Sequence, residues 1–176
     1  MKFEPTPLAG AFVITPERLH DERGYFARSF CRRDFSERGL NPDVAQCNLS
    51  LSTRRGTLRG MNFQRPPHQE AKLVRCVAGA LWDVIIDLRS SSPTFRKHFG
   101  IRLDPSEDRM LYVPEGFAHG FLTLEDSTSV FYQISQSYDP VHASGVRWND
   151  PAFGIEWPFE PTVMAERDRT YPDFRG

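Results

Sequence analysis

The chain has 176 residues, of which 12% are aromatic and 26% charged, with Lys+Arg 22 against Asp+Glu 23. That length predicts one domain, 1–176, with N- and C-terminal arms and enough core to fold without disulfide or metal staples. A net charge of −1 argues against non-specific binding of nucleic acid or an anionic membrane, which needs a net basic surface.

In chain order, "MKFEPTPLAG" lacks the apolar core of a signal peptide, and no stretch nears the ~18 apolar residues of a membrane span. The expectation is a soluble, cytoplasmic protein. Strands are predicted at 11–15, 24–30, 44–52, 57–64 and 71–78, from short runs rich in β-formers. "GALWDVIIDLR" alternates most clearly: Trp82, Val84, Ile86 and Leu88 fall on one face, and Asp83, Ile85, Asp87 and Arg89 on the other. Further strands are predicted at 95–103, 109–113, 119–124, within "STSVFYQISQSY" (127–138) and at 145–149. Turn signals separate them, among them Arg23-Gly24, Pro66-Pro67, Ala78-Gly79, Ser92-Pro93 and Asp139-Pro140. Helix is scarce: two turns at 31–39 ended by Gly39, and a short piece near 162–168. Many short strands with almost no helix predict an all-β, closed or nearly closed double sheet such as a jelly roll.

Period-2 spacing puts Gln46, Asn48 and Ser50 on one strand face, and likewise Asn62 with Gln64, Lys72 with Val74, and Tyr132 with Tyr138 across a bend. Parity alone favours the solvated outer face for such polar residues; the mouth of a barrel is the other place where they converge.

The five histidines, His20, His68, His98, His119 and His142, show no HxH, HxxH or HxxxH spacing, and no Gly-rich nucleotide loop occurs, so no metal and no cofactor are expected. Cys31, Cys47 and Cys76 form no CxxC and read as thiols of a reducing compartment. "DERGYF" and "TLRGMNF" each set an arginine before glycine; these suit a phosphate, or are surface arginines beside turns. His119 in "VPEGFAHGF" faces either core or cavity. Tyr132 and Tyr138 read equally as core tyrosines, and Asp168 as a surface acid. By themselves these residues support a β protein that binds a small anion, with an interaction module as the competing class.

Taken in order, "GTLRGMNFQ", "AKLVRC…G…WDVIIDLR", "SPTF", "VPEGFAHGF", "VFYQIS..Y.P" and "WNDPAFGIEWP" resemble the dTDP-4-dehydrorhamnose 3,5-epimerase family, from about Leu8 to Phe174. The resemblance implies a cupin-type jelly roll, usually a homodimer, that uses no metal and acts on a nucleotide-diphosphate 4-keto-6-deoxy sugar. A proton beside the ketone is removed and returned on the opposite face. By resemblance, Lys72 steadies the enolate oxygen, Tyr132 is the acid and Asp168 orients the base. Arg23 and Arg59 bind the pyrophosphate, Gln46 and Asn48 lie near the nucleotide base, and Phe26, His119 and Tyr138 line the pocket. The family's histidine base is Asn62 here; Arg28 and Ala143 each stand where a glutamate is frequent.

An amide cannot accept a proton at any useful pH. Three readings follow. The chain is an epimerase using another base, such as Asp168 or a water held by Asn62 and Asp168, at both carbons or at only one. Otherwise it is an isomerase working by tautomerisation through Tyr132 and Lys72, or a nucleotide-sugar-binding protein or inactive paralogue.

Overall fold

The computed structural model describes residues 1–175. Its elements are β1 (Lys2–Pro5), β2 (Phe12–Thr15), β3 (Arg18–Asp21), β4 (Gly24–Ala27), α1 (Arg32–Ser36), β5 (Gln46–Ser52), β6 (Thr57–Gln64) and β7 (Lys72–Ala78). They continue as β8 (Leu81–Asp87), β9 (His98–Leu103), β10 (Met110–Val113), β11 (Phe117–Thr123), β12 (Thr128–Ile134), β13 (Ala143–Gly145), β14 (Val163–Met164) and α2 (Glu166–Arg169). The all-β prediction holds. Sequence reading missed β1, β3 and β14, pieces of two to four residues too short to show a period. The strand predicted at 145–149 lies earlier, at Ala143–Gly145, and the helix predicted near 162–168 begins as strand β14 before α2.

Two sheets face each other. One has the order β1-β2-β10-β7-β12-β5; the other has β13-β6-β11-β8-β9, with β14 added parallel to β6. All other strand pairs are antiparallel. Between the sheets, Val74, Cys76, Leu111 and Val130 of the first meet Leu81, Ile85, Phe117 and Phe121 of the second. The outer face of the second sheet, with Val84 and Ile86, is covered by the C-terminal segment through Val146, Phe153, Trp157 and Phe174. Ile85 therefore faces inward and Val84 and Ile86 outward, as the alternation in "GALWDVIIDLR" predicts, yet both faces are apolar because both are covered.

The first sheet is covered outside by α1, whose Phe35 packs on Phe3, Phe30 and Tyr112. That cover stops short of β5. There Leu49 is 70% and Leu51 55% exposed, while Gln46, Asn48 and Ser50 turn inward. β3 and β4 form a separate two-stranded ribbon. It is tied to the start of β10 by Arg18 Nε (2.7 Å) and Tyr25 OH (3.2 Å), which donate to Asp108.

The "SPTF" motif has a structural explanation. The carboxylate of Asp87, fully buried, accepts from Arg89 Nε (2.9 Å), Ser92 Oγ (2.5 Å) and Thr94 Oγ1 (2.7 Å). Burial works against its ionisation, but these donors outweigh it and hold Asp87 down to about 2. A depressed carboxyl contributes stability that is present above its unfolded value near 3.8 and is lost as pH falls through about 2. The expected result is that Asp87→Asn flattens the fall in melting temperature across that window, as followed by circular dichroism; an unchanged pH slope would contradict it.

Candidate active site

A polar cavity opens between the sheets in two adjoining lobes, of about 260 and 500 Å³, that share Asn62, Lys72, Tyr132 and Arg167. Strand register assembles it. On the first sheet Tyr132 pairs with Asn48 on one side and Val74 on the other, while Ile134 pairs with Gln46 and Lys72. Gln46, Asn48, Lys72 and Tyr132 thus present one polar face. On the second sheet His119 pairs with Asn62. The parity-based preference for the solvated outer face is overturned: Gln46, Asn48 and Ser50 line the cavity. The period was right and the sense inverted, because this sandwich keeps a wet interior at one end.

Lys72 is nearly buried, with Nζ 3.0 Å from Glu70 Oε1 and donating to the backbone oxygen of Asn62 at 3.1 Å. Glu70 Oε2 in turn accepts the N–H of Gln64 (3.0 Å). This holds an ammonium against the cavity wall without exposing it to bulk water. Glu70 was absent from the sequence-derived site; its signal was its place two residues before Lys72, just ahead of β7.

Asn62 accepts at Oδ1 from Tyr171 OH (2.9 Å) and Arg167 Nη2 (3.4 Å). A guanidinium only donates, so these contacts fix which arm of the amide is oxygen. Burial raises Tyr171 above the ordinary phenol value, against the pull of Arg167, and keeps it a donor. Among the described residues the amide NH₂ has no protein acceptor, and Asn62 lines both lobes. Asp168, 3% exposed, accepts the N–H of Gly60 at Oδ2 (3.0 Å) and Arg167 Nε at Oδ1 (3.3 Å). Asn62 and Asp168 share Arg167 and are not bonded to one another. Neither Arg167 nor Tyr171 stood out in the sequence, since their link to Asn62 spans more than 100 residues.

His119 Nε2 lies 2.7 Å from Asp83 Oδ1, with both side chains buried. Arg59 crosses toward β5, donating from Nε to Ser52 Oγ (3.1 Å) and from Nη2 to Leu51 O (3.2 Å), and lines the larger lobe. The glycine after it does not serve a ligand. Gly60 has φ +134°, and a Cβ there would fall 2.4 Å from Gly120 Cα, so β6 and β11 need it to pass each other. Tyr138 stands exposed at the rim, its N–H accepted by Gln46 Oε1. The next residue, Asp139, accepts from His142 Nδ1 (3.0 Å), and the stacked rings of His68 and His142 staple that loop to the end of β6. Arg23 and Phe26 are not brought to this cavity. Arg23 donates to Asp21, and Phe26, 66% exposed, sits on the β3–β4 ribbon near Leu19 and Arg28.

A double-sheet jelly roll with a lysine, a tyrosine and arginines converging between its sheets is a cupin-like protein with a polar cavity. The chain belongs to the dTDP-4-dehydrorhamnose 3,5-epimerase family, whose model it matches over residues 5–176. It is 44% identical to the dTDP-4-dehydrorhamnose 3,5-epimerase of Methanothermobacter thermautotrophicus, over 99% of this chain and 95% of that one. The crystal structure of the Bacillus anthracis enzyme with TDP and PPi bound superposes with a TM-score of 0.93 at 38% identity, covering 98% of this chain and 99% of that one. A double mutant of a 3′-monoepimerase from Streptomyces bikiniensis, in complex with dTDP and with asparagine replacing a histidine, gives 0.88 at 33% identity, covering 97% and 86%. Among the described residues, no helix is long and apolar enough to cross a membrane.

Proposed function

We propose that the chain is an epimerase of a nucleotide-diphosphate 4-keto-6-deoxy sugar, acting by proton removal beside the ketone and return on the opposite face. The observation that carries this is Lys72 and Tyr132 facing one cavity from adjacent strands of the first sheet, opposite Asn62 and His119 on the second. A carbon acid beside a ketone ionises readily only if the enolate oxygen meets positive charge. Lys72 supplies that charge, and the free amide arm of Asn62 adds a donor beside it. Tyr132, on the first sheet and across the cavity from Asn62, is the acid. Arg59 binds the pyrophosphate, and Gln46, Asn48 and Tyr138 hold the nucleotide. Family membership and the epimerase names of the relatives favour this over a binding protein or an inactive paralogue. That a related 3′-monoepimerase with a histidine changed to asparagine and a tyrosine to phenylalanine is in complex with dTDP supports nucleotide binding here.

The test is incubation with dTDP-4-keto-6-deoxyglucose in D₂O, following deuterium at C3 and C5, beside thermal-shift titrations with dTDP, CDP, GDP and UDP. Deuterium at both carbons marks a 3,5-epimerase, and at one a mono-epimerase. No incorporation sinks the reading, and a nucleotide shift without incorporation marks a binding protein instead.

The protein works as a homodimer in this reading. Leu49 and Leu51 beside Phe131 leave an apolar strip on the outer face of the first sheet, and Arg23 and Phe26 lie outside their own cavity, on a projecting ribbon. The ribbon reaches the partner's cavity. Leu49→Asp with Leu51→Asp is expected to give a monomer by light scattering and at least tenfold less epimerisation. A dimer that survives both changes would refute this face.

A further inference from the structure

Asn62 cannot accept a proton, and each oxygen of Asp168 is already engaged, by the Gly60 N–H and by Arg167, which favours a base elsewhere. The cluster of His68, Asp139 and His142 sits on the rim, where its members satisfy one another. The remaining histidine that lines the cavity is His119, across the β6–β11 pair from Asn62. Directly opposed residues on antiparallel strands have Cβ atoms ~5 Å apart on one face. A base at 119 therefore lies one strand from position 62.

We propose that His119, held by Asp83, is the general base of this chain, resting on the epimerase reading above. Nε2–H donates to Asp83 Oδ1 at 2.7 Å, which sets the tautomer and leaves the lone pair on Nδ1. Nδ1 has no protein partner among the described residues, and the residue lines the larger lobe; Asp83 Oδ2 is buried with none. Asp83 is fully buried, so its charge lies where an adjacent imidazolium offsets it most. It is a positioning residue; His119 is the catalytic one. Around the ring stand Asp83 of β8, Arg59 and Asn62 of β6, and Lys72 and Tyr132 across the cavity.

In the step, Nδ1 takes the proton from the carbon beside the ketone. The C–H pair becomes the C=C bond, and the carbonyl π pair moves to the oxygen held by Lys72. Tyr132 then protonates the carbon from the other face, and the phenolate regains a proton through solvent as His119 releases one. No electrons leave the substrate.

The test is deuterium exchange by wild type, His119→Gln, Asn62→His, Asp83→Asn and the double variant Asn62→His/His119→Gln, each checked for its thermal shift with dTDP. His119→Gln is expected to lose ~10²–10⁴-fold in exchange with the dTDP shift retained, and the double variant to recover at least tenfold of that loss. Asn62→His alone is the reference for that recovery: if His119 only binds substrate, the gain from a histidine at 62 is the same factor with and without His119, whereas a base at 119 makes the gain larger in its absence. If His119→Gln does not fold, His119→Asn carries the same comparison. Asp83→Asn is expected to move the acidic limb of the pH–rate profile. The proposal is overturned if His119→Gln keeps more than a tenth of wild-type exchange, if the double variant recovers nothing, if Asn62→His raises exchange by the same factor with and without His119, or if Asp83→Asn leaves the limb in place. Wild-type exchange that survives His119→Gln would remove His119 and spare the epimerase reading; no wild-type exchange would remove both.

Discussion

Lys72→Met is expected to lower epimerisation by about 10²–10³-fold, the effect of removing one group aimed at a developing oxyanion. It should also cost about 3–5 kcal/mol of folding stability, because Glu70 is left as a buried carboxylate without its cation, 3.0 Å from where Nζ had been. The two effects separate in a second variant. Glu70→Gln with Lys72→Met removes both charges, and denaturant unfolding should show most of the lost stability returning while the rate stays low. If the double variant recovers activity along with stability, Lys72 serves the fold and not the enolate. If neither single nor double variant slows the reaction at a temperature where the protein is folded, the enolate role is wrong.

Tyr132→Phe is expected to cut net epimerisation by about 10²–10⁴-fold while leaving deuterium exchange into the starting sugar largely intact. The reason is facial. The base and Tyr132 stand on opposing sheets, so a protein without the phenol can still remove the proton and return it on the side from which it came. Phenylalanine fits the same strand position between Asn48 and Val74, and the fold should lose ~1 kcal/mol at most. The measurement is the ratio of exchange to inversion by NMR in D₂O. A parallel fall in both would mean that Tyr132 acts before the enolate forms, and would remove it as the acid on the opposite face.

Much of the fold is local and therefore readable. The strand predicted at 57–64 is β6, and most of the others fall within a few residues of their places, because a two-residue period and its turn residues are properties of the chain itself. The ordered motifs carried the family and with it Lys72, Tyr132, Asn62 and Asp168, all of which the structure gathers around one cavity. Period could not say which face is inside. On β5 the leucines point out and the amides in, an inversion that follows from a wet cavity on one side and an uncovered apolar strip on the other.

The sequence by itself determined the β architecture and the family. Only the tertiary structure decided what surrounds Asn62. Arg167 and Tyr171 orient the amide from more than 100 residues away, Asp168 is engaged by Gly60, and His119 meets Asp83 across 36 residues of chain. The physical reason is the same for each. Hydrogen-bond partners and cross-strand neighbours are set by sheet register and by the return of the C-terminal segment over β6, and neither leaves a periodic trace in the sequence.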